Sequence, residues 1–222
     1  MRLGLQRETR LLDVGCGPGN LAIGFAPFVG SCTAIDPEPK MLEAARRAAL
    51  EAGVNVTFIE APLEELHAQN NSFDCVTIGR ALHWLNRDVA LPLFERIVPV
   101  GGHIAICAST GSKSPANKWF QSYKRFRGDW SFERDQSRYH LDMDNWFAPS
   151  RFQKLYDIRV PYHQQVTIDG LVGRAFSFST SSPAAIRERR PQFEDELRAA
   201  LAPFVQDGKL DEELIVIATV FQ

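Results

Sequence analysis

Apolar residues are not spread evenly along this chain. They gather in short runs separated by longer stretches in which they recur every third or fourth position. The runs Leu11-Leu12-Asp13-Val14, Ser31 to Ile35, Val54 to Ile59, Phe73 to Gly79 and His103 to Ala108 read as five strands. Runs of this density belong to strands covered on both faces. The stretches between them read as helices: Gly19 to Val29, limited by Pro27; 38–52, rich in Glu, Ala, Arg and Leu and closed by Gly53; and Arg87 to Val98. A short helix fits Leu63 to His67. Strand alternating with helix predicts an α/β fold. Towards the C-terminus, Val160 to Ile168 reads as a strand, and Thr167 caps a helix running to about Phe178. Pro183 opens a charged helix, Ala184 to about Phe204, which Pro191 is placed to split; Gly208 ends it, and Glu213 to Phe221 is a strongly apolar last strand.

The first strand ends in an acid and runs straight into Gly15-Cys16-Gly17-Pro18-Gly19-Asn20. Three glycines let the backbone turn tightly and approach a ligand closely, because they lack a Cβ and tolerate positive φ. The helix after the turn presents free N–H groups towards whatever lies over it. A dinucleotide would require G-x-G-x-x-G. Here the spacing is G-x-G-x-G, with Asn20 where the third glycine should be, and Asp13 would repel a pyrophosphate. A ligand with an ammonium beside a carboxylate suits the turn better, Asp13 for the cation and backbone N–H groups for the anion. S-adenosylmethionine has that amino-acid end, and a sulfonium besides.

Asp13-Val-Gly-Cys-Gly-Pro-Gly19 resembles the first motif of the class I S-adenosylmethionine-dependent methyltransferases. The resemblance implies a Rossmann-like sheet of seven strands, the last one antiparallel and inserted between the fifth and sixth, with a helical insertion after strand five. It extends to Asp36, the acid that ends the second strand, and to Asp36-Pro-Glu-Pro-Lys-Met41 after it. By that resemblance Asp36 takes the ribose hydroxyls, while Pro37 and Met41 flank the adenine. Capping the helix over 38–52 is a second role open to Asp36. Glu60-Ala61 resembles the acid–alanine pair whose carboxylate and backbone N–H read the adenine edge, with Glu where the family more often has Asp. The cofactor set implied is Asp13, Gly15, Gly17, Gly19, Asn20, Asp36, Pro37, Met41, Glu60, Ala61 and Arg80. Phe73-Asp74 matches the family's start to the fourth strand, and Val98-Pro-Val-Gly-Gly102 resembles its turn before the fifth with one extra valine.

In an open α/β sheet ligands lie beyond the carboxyl ends of the strands, so Arg80-Ala-Leu-His-Trp-Leu85 should border the transferred methyl. The Ala81-Leu-His-Trp84 run resembles a sub-group of small-molecule methyltransferases that includes enzymes acting on aconitate-like carboxylic acids. His83 is the candidate general base, with packing beneath the cofactor as its other reading. Trp84 is a candidate pocket wall, and Arg80 a candidate partner of a substrate carboxylate or of an acid on the 110–157 insertion.

Composition narrows the field. The 222 residues suit one domain, with 110–157 as a substrate-side insertion, and a chain of this length buries about 70% of its unfolded surface without needing disulfides. A net charge of −2, from 25 basic and 27 acidic residues, offers no reason to expect nucleic acid or an anionic membrane as partner. No stretch approaches the roughly 18 apolar residues of a membrane span. The first ten residues carry three arginines and no signal-like apolar run. Cys16, Cys32, Cys75 and Cys107 show no C-x-x-C pairing, so neither a zinc site nor a disulfide framework is indicated, which suits reduced thiols in the cytoplasm. Only about nine residues precede the first strand, where the family usually carries helices; the expectation is a more open pocket or a natural chain that starts further upstream.

The composition shifts after Ser109. The window 117–156 holds eleven aromatic residues, interleaved with Lys118, Lys124, Arg125, Arg127, Arg134, Arg138, Arg151 and Lys154 and offset by Asp129, Glu133, Asp135, Asp142 and Asp144. Two readings stand: an aromatic cover over a small anionic substrate gripped by arginine, or the core of an added helical layer. Stacking on single-stranded nucleic acid is the weaker third. The function expected is methyl transfer to a small molecule, a carboxylate among the candidates. Methylation of a protein or nucleic acid, or a non-catalytic binding module, are the alternatives. No metal is expected, and oligomeric state is left open.

Overall fold

The computed structural model describes residues 4–131, 142–178 and 181–222. Arg134 and Arg138, with the acids Glu133 and Asp135, lie outside the described residues. By contacts these residues fall into two compact units, 4–108, 142–159 and 217–222 in one and 109–131, 160–178 and 181–216 in the other.

Strands β1 (Arg10–Val14), β2 (Ser31–Asp36), β3 (Thr57–Glu60), β4 (Cys75–Gly79) and β5 (His103–Gly111) form the sheet with β6 (Lys154–Val166) and β7 (Leu210–Phe221), in the order β3-β2-β1-β4-β5-β7-β6. The β1–β2, β1–β4, β2–β3 and β4–β5 pairs are parallel. The last strands are antiparallel, Gln153 and Gln222 exchanging reciprocal backbone hydrogen bonds. As the family resemblance implies, the sheet has seven strands with the last one between the fifth and the sixth.

Alternation along the strands sorts the first unit's core onto two faces. Leu12, Val14, Ile35, Val76, Ile78, Ile104 and Ile106 point one way, into a cluster with Leu91, Phe94 and Ile97 of α3 (Arg87–Ile97). Leu11, Cys32, Ala34 and Cys75 point the other way, towards Ala22 of α1 (Asn20–Phe25) and Leu42 of α2 (Pro39–Glu51). Asp13 belongs by parity to this second face. All four cysteines are buried, and burial pushes each thiol up to about 12, so they are inert at neutral pH.

The second unit has its own core. Trp119 and Tyr123 of α4 (Lys118–Asp129), with Trp130, pack with Leu171 and Ala175 of α6 (Ile168–Phe176) and with Phe193, Leu197 and Leu201 of α8 (Arg190–Leu201). In the first unit Trp146 and Phe147 of α5 (Met143–Phe147), together with Phe152, join the α3 cluster. All six aromatics from the 117–156 window just named are at most 7% exposed. These six rings are spent on core packing, whereas Tyr156 of the same window is 40% exposed.

Several boundaries depart from expectation: β3 begins at Thr57 rather than Val54, and β5 runs on past Ala108 to Gly111. β6 begins at Lys154, six residues before Val160, because an edge strand tolerates exposed Lys154, Asp157 and Arg159 that hide it from hydrophobic patterning. β7 begins at Leu210, its buried Glu212 masking the start. The charged helix after Pro183 is split as expected, though just before Pro191, into α7 (Pro183–Ile186), a short 3-10 turn and α8, with Pro191 in the first turn of α8. Among the described residues no helix is long and apolar enough to cross a membrane.

Candidate functional site

Parallel pairing brings four strand ends together in the first unit. Val14 is level with Ile35 and Ile78, and Asp36 with Glu60, so the turns after β1, β2, β3 and β4 leave the sheet on the same side.

The turn after β1 is left-handed at every glycine, with φ of 61° at Gly15, 52° at Gly17 and 83° at Gly19. The three are not equivalent. A Cβ on Gly15 would sit 2.5 Å from that of Ala81, and one on Gly19 would press on Ala45 and Ile23 at 3.1 Å. A Cβ on Gly17 would meet nothing within 4 Å. Gly15 and Gly19 are therefore glycines for packing as well as conformation, whereas Gly17 faces open space.

Asp36 closes the turn from the neighbouring strand. Its Oδ2 accepts the Gly17 N–H at 2.8 Å, and its Oδ1 accepts the Glu38 N–H at 2.9 Å. The N-cap of α2 is Glu38, not Asp36, leaving Asp36 committed to the turn. Each carboxylate oxygen retains a second lone pair for another donor. Pro37 and Met41 follow on the exposed side, Met41 in the first turn of α2. Glu60 is exposed at the end of β3, and Ala61 packs partly into the core. Asn20 is the first residue of α1 and exposed.

Asp13 lies behind the turn, 1% exposed. Its Oδ2 accepts the Ala22 N–H at 3.1 Å and its Oδ1 the Thr77 hydroxyl at 2.8 Å. Burial pushes its carboxyl up to about 7, against the pull of Thr77 and Ala22, with the Asp36 charge adding a smaller upward push. Thr77 was not singled out by sequence reasoning. The available signal was a hydroxyl in an otherwise apolar strand, level with Asp13 in the β1–β4 register.

Beyond β4 the chain turns at Arg80, which has φ of 58° and donates its N–H to the Cys107 carbonyl. A 3-10 turn, Leu82–Trp84, follows. Leu82 is buried and anchors it, His83 is half-buried, and Trp84 is 58% exposed. The His83 and Trp84 rings lie 4.9 Å apart, tilted by 44°. Ala81, the residue against Gly15, joins this segment to the glycine turn. Among the described residues no group of three His, Cys, Asp or Glu side chains is placed to hold a metal ion.

Known proteins resemble this chain in sequence and fold. Residues 11–102 match the family model described as a methyltransferase domain. The uncharacterized methyltransferase YcgJ of Bacillus subtilis (strain 168) is 32% identical over 133 residues, 59% of this chain and 52% of its own. The ubiquinone/menaquinone biosynthesis C-methyltransferase UbiE of Pseudomonas putida is 33% identical over 121 residues, 52% of this chain and 46% of its own. The chain thus matches about half the length of these curated relatives. In structure, YcgJ aligns over 99% of this chain and 94% of its own, with a TM-score of 0.56 at 22% identity. The geranyl diphosphate C-methyltransferase of Streptomyces coelicolor A3(2), solved with S-adenosyl-L-homocysteine, aligns over 98% and 74% with a TM-score of 0.50 at 14% identity.

Proposed function

We propose that this chain is a class I S-adenosylmethionine-dependent methyltransferase that binds S-adenosylmethionine over the 15–19 turn and methylates a small molecule, a reading supported by the methyltransferase-domain match over residues 11–102 and by the likeness to YcgJ. One observation carries this reading. Gly17 is left-handed, its N–H is held by Asp36, and the space its missing Cβ leaves is open. A cofactor with a ribose and an amino-acid end fits that arrangement. Asp36 has lone pairs for ribose hydroxyls, Asp13 sets a negative charge behind the turn for the ammonium, and the exposed Pro37, Met41 and Glu60 with Ala61 border the adenine side.

When bound, the cofactor supplies an electrophilic methyl group on a sulfonium whose departure leaves a neutral thioether. The protein's task is then chiefly alignment, which is worth roughly 7–11 kcal/mol of barrier. Arg80, His83 and Trp84, beyond the carboxyl end of β4, are assigned to the acceptor. A carboxylate acceptor needs no base. A hydroxyl or amine must lose a proton, and His83 is the group assigned to take it at a ring nitrogen.

A thermal melt with S-adenosylhomocysteine, and with NAD as control, tests the cofactor. At about a hundred times its dissociation constant a ligand adds about 2.7 kcal/mol, roughly 5–10 °C here. A shift with the homocysteine and none with NAD supports the reading; the reverse overturns it. Labelled methyl transfer to a panel of small organic acids, alcohols and amines, beside RNA and protein, then identifies the acceptor class.

A further inference from the structure

Thr77 is fully buried at 0% exposure, so no ligand can touch it. Yet it is one residue away from the cofactor turn in energetic terms. It sits opposite Asp13 in the β1–β4 register, and its hydroxyl donates to Asp13 Oδ1 at 2.8 Å. The other oxygen of the same carboxylate accepts the Ala22 N–H. These two bonds fix Asp13 from both sides: one ties it to β4, the other to the helix that follows the glycine turn.

We propose that Thr77 is a positioning residue for the cofactor: its hydroxyl orients the Asp13 carboxylate behind the turn, and cofactor affinity depends on that hydrogen bond. The inference rests on the reading of the 15–19 turn as the cofactor site.

The electrostatics of the pocket make the dependence steep. Asp13 is surrounded by groups that do not compensate its charge. Asp36 on β2 is a second acid, and Cys16, Cys32 and Cys107 around it remain thiols, held up by burial and, in part, by the Asp13 charge itself. Against desolvation, the groups favouring the carboxylate are the Thr77 hydroxyl first and the Ala22 N–H second. With its carboxyl near 7, Asp13 divides between neutral and charged forms at physiological pH, and only the charged form attracts an ammonium. Removing the Thr77 donor leaves burial less opposed. The neutral form then persists to higher pH, and the cofactor must drive the proton off.

The test is calorimetric titration of S-adenosylhomocysteine into the wild-type chain and into Thr77→Val, Thr77→Ala and Thr77→Ser, from about pH 6 to about pH 8.5. Wild-type affinity should rise towards about pH 7 and level off above it. Thr77→Val, nearly isosteric but without the donor, should bind about tenfold more weakly at neutral pH and recover part of the loss at the alkaline end. Thr77→Ser keeps the hydroxyl and should restore both affinity and profile. Thr77→Ala should behave as Thr77→Val does, and stands in for it if that variant fails to fold. Wild-type affinity and midpoint in Thr77→Val or Thr77→Ala overturns the inference. So does a loss that is equal at every pH, which a merely structural role would produce. If the wild-type chain binds no S-adenosylhomocysteine at any pH, the cofactor reading itself fails, an outcome distinct from either of these.

Discussion

Asp36 and Gly17 are joined across nineteen residues by a 2.8 Å hydrogen bond from the glycine N–H to the carboxylate, which fastens the turn after β1 to the end of β2. The bond puts the acid assigned to the ribose and the glycine that faces open space in one unit. Replacing Asp36 with Ala removes the acceptor of both Gly17 and Glu38 at once. Cofactor affinity should fall by a few kcal/mol at most, from lost hydrogen bonds and a looser turn. Calorimetry with S-adenosylhomocysteine reads the first effect, and amide exchange at Gly17 and Glu38 the second. Unchanged affinity would remove Asp36 from the cofactor site.

Gly15 and Gly17 should respond oppositely to an added methyl group. Gly15→Ala meets Ala81 at 2.5 Å and pays for positive φ as well, so a loss of about 2–4 kcal/mol in folding stability is expected. Adding Ala81→Gly should recover the clash but not the backbone strain, a coupling that a double-mutant cycle reads directly. Gly17→Ala has no clash, only a conformational cost of about 1–2 kcal/mol. It should fold, and lose cofactor affinity because its Cβ occupies the open space. Denaturation curves and ligand titrations on the pair separate packing from binding.

Asp13 makes the ligand-free fold lose stability as pH rises from the acid range to neutrality. Its carboxyl is raised to about 7 in the fold from an ordinary value of 3.8, so the folded chain holds this proton more tightly than the unfolded one. The group's stabilising contribution is complete below its unfolded value and is lost as pH rises through about 7. Asp13→Asn removes this penalty while keeping both partners: the amide oxygen accepts from Ala22, and the amide N–H donates to a Thr77 hydroxyl turned to accept. At about pH 8 the variant should be the more stable, by an amount of the order of 4 kcal/mol, and should bind the cofactor more weakly. Melts at several pH values with and without S-adenosylhomocysteine check both signs.

Residue type marks much of the proposed site, and pairing adds the rest. The glycine turn, Asp13 and Asp36 stand out because acids and glycines at the ends of apolar runs are costly without a purpose. Thr77 and Ala81 do not stand out. Each matters only through a partner more than sixty residues away, Asp13 for one and Gly15 for the other, and no local pattern records that pairing. The same blindness set the edges of the last strands. Glu212 reads as a surface residue until Arg174 is found beside it, and the charged start of β6 reads as loop until β7 is there to pair with it. The aromatics between 117 and 156 show the converse. Their composition was plain, but only the two cores explain what the buried rings are for.

In the second unit, Glu212 is fully buried and receives two hydrogen bonds from Arg174, at 2.5 and 2.9 Å, and one from Gln164 at 2.6 Å. Arg174→Leu leaves that carboxylate buried without its charge partner, and a loss of about 3–5 kcal/mol is expected. Glu212→Gln should cost less, since the half-buried guanidinium still reaches water. If both substitutions prove equally mild in chemical denaturation, the pair is not what holds α6 to β7.

His83 offers the sharpest division between chemistry and packing. It sits in a 3-10 turn anchored by buried Leu82, with its ring 4.9 Å from Trp84. A general base matters only where the acceptor carries a proton. His83→Ala should therefore lower turnover on hydroxyl or amine acceptors by about 10²–10⁴, while carboxylate acceptors lose no more than a few fold. Affinity for S-adenosylhomocysteine should be unchanged in either case. Equal loss on both acceptor classes, tracking a lower melting temperature, would assign His83 to supporting Trp84 instead. In that event the acceptor is deprotonated before it arrives, and a carboxylate becomes the leading substrate class.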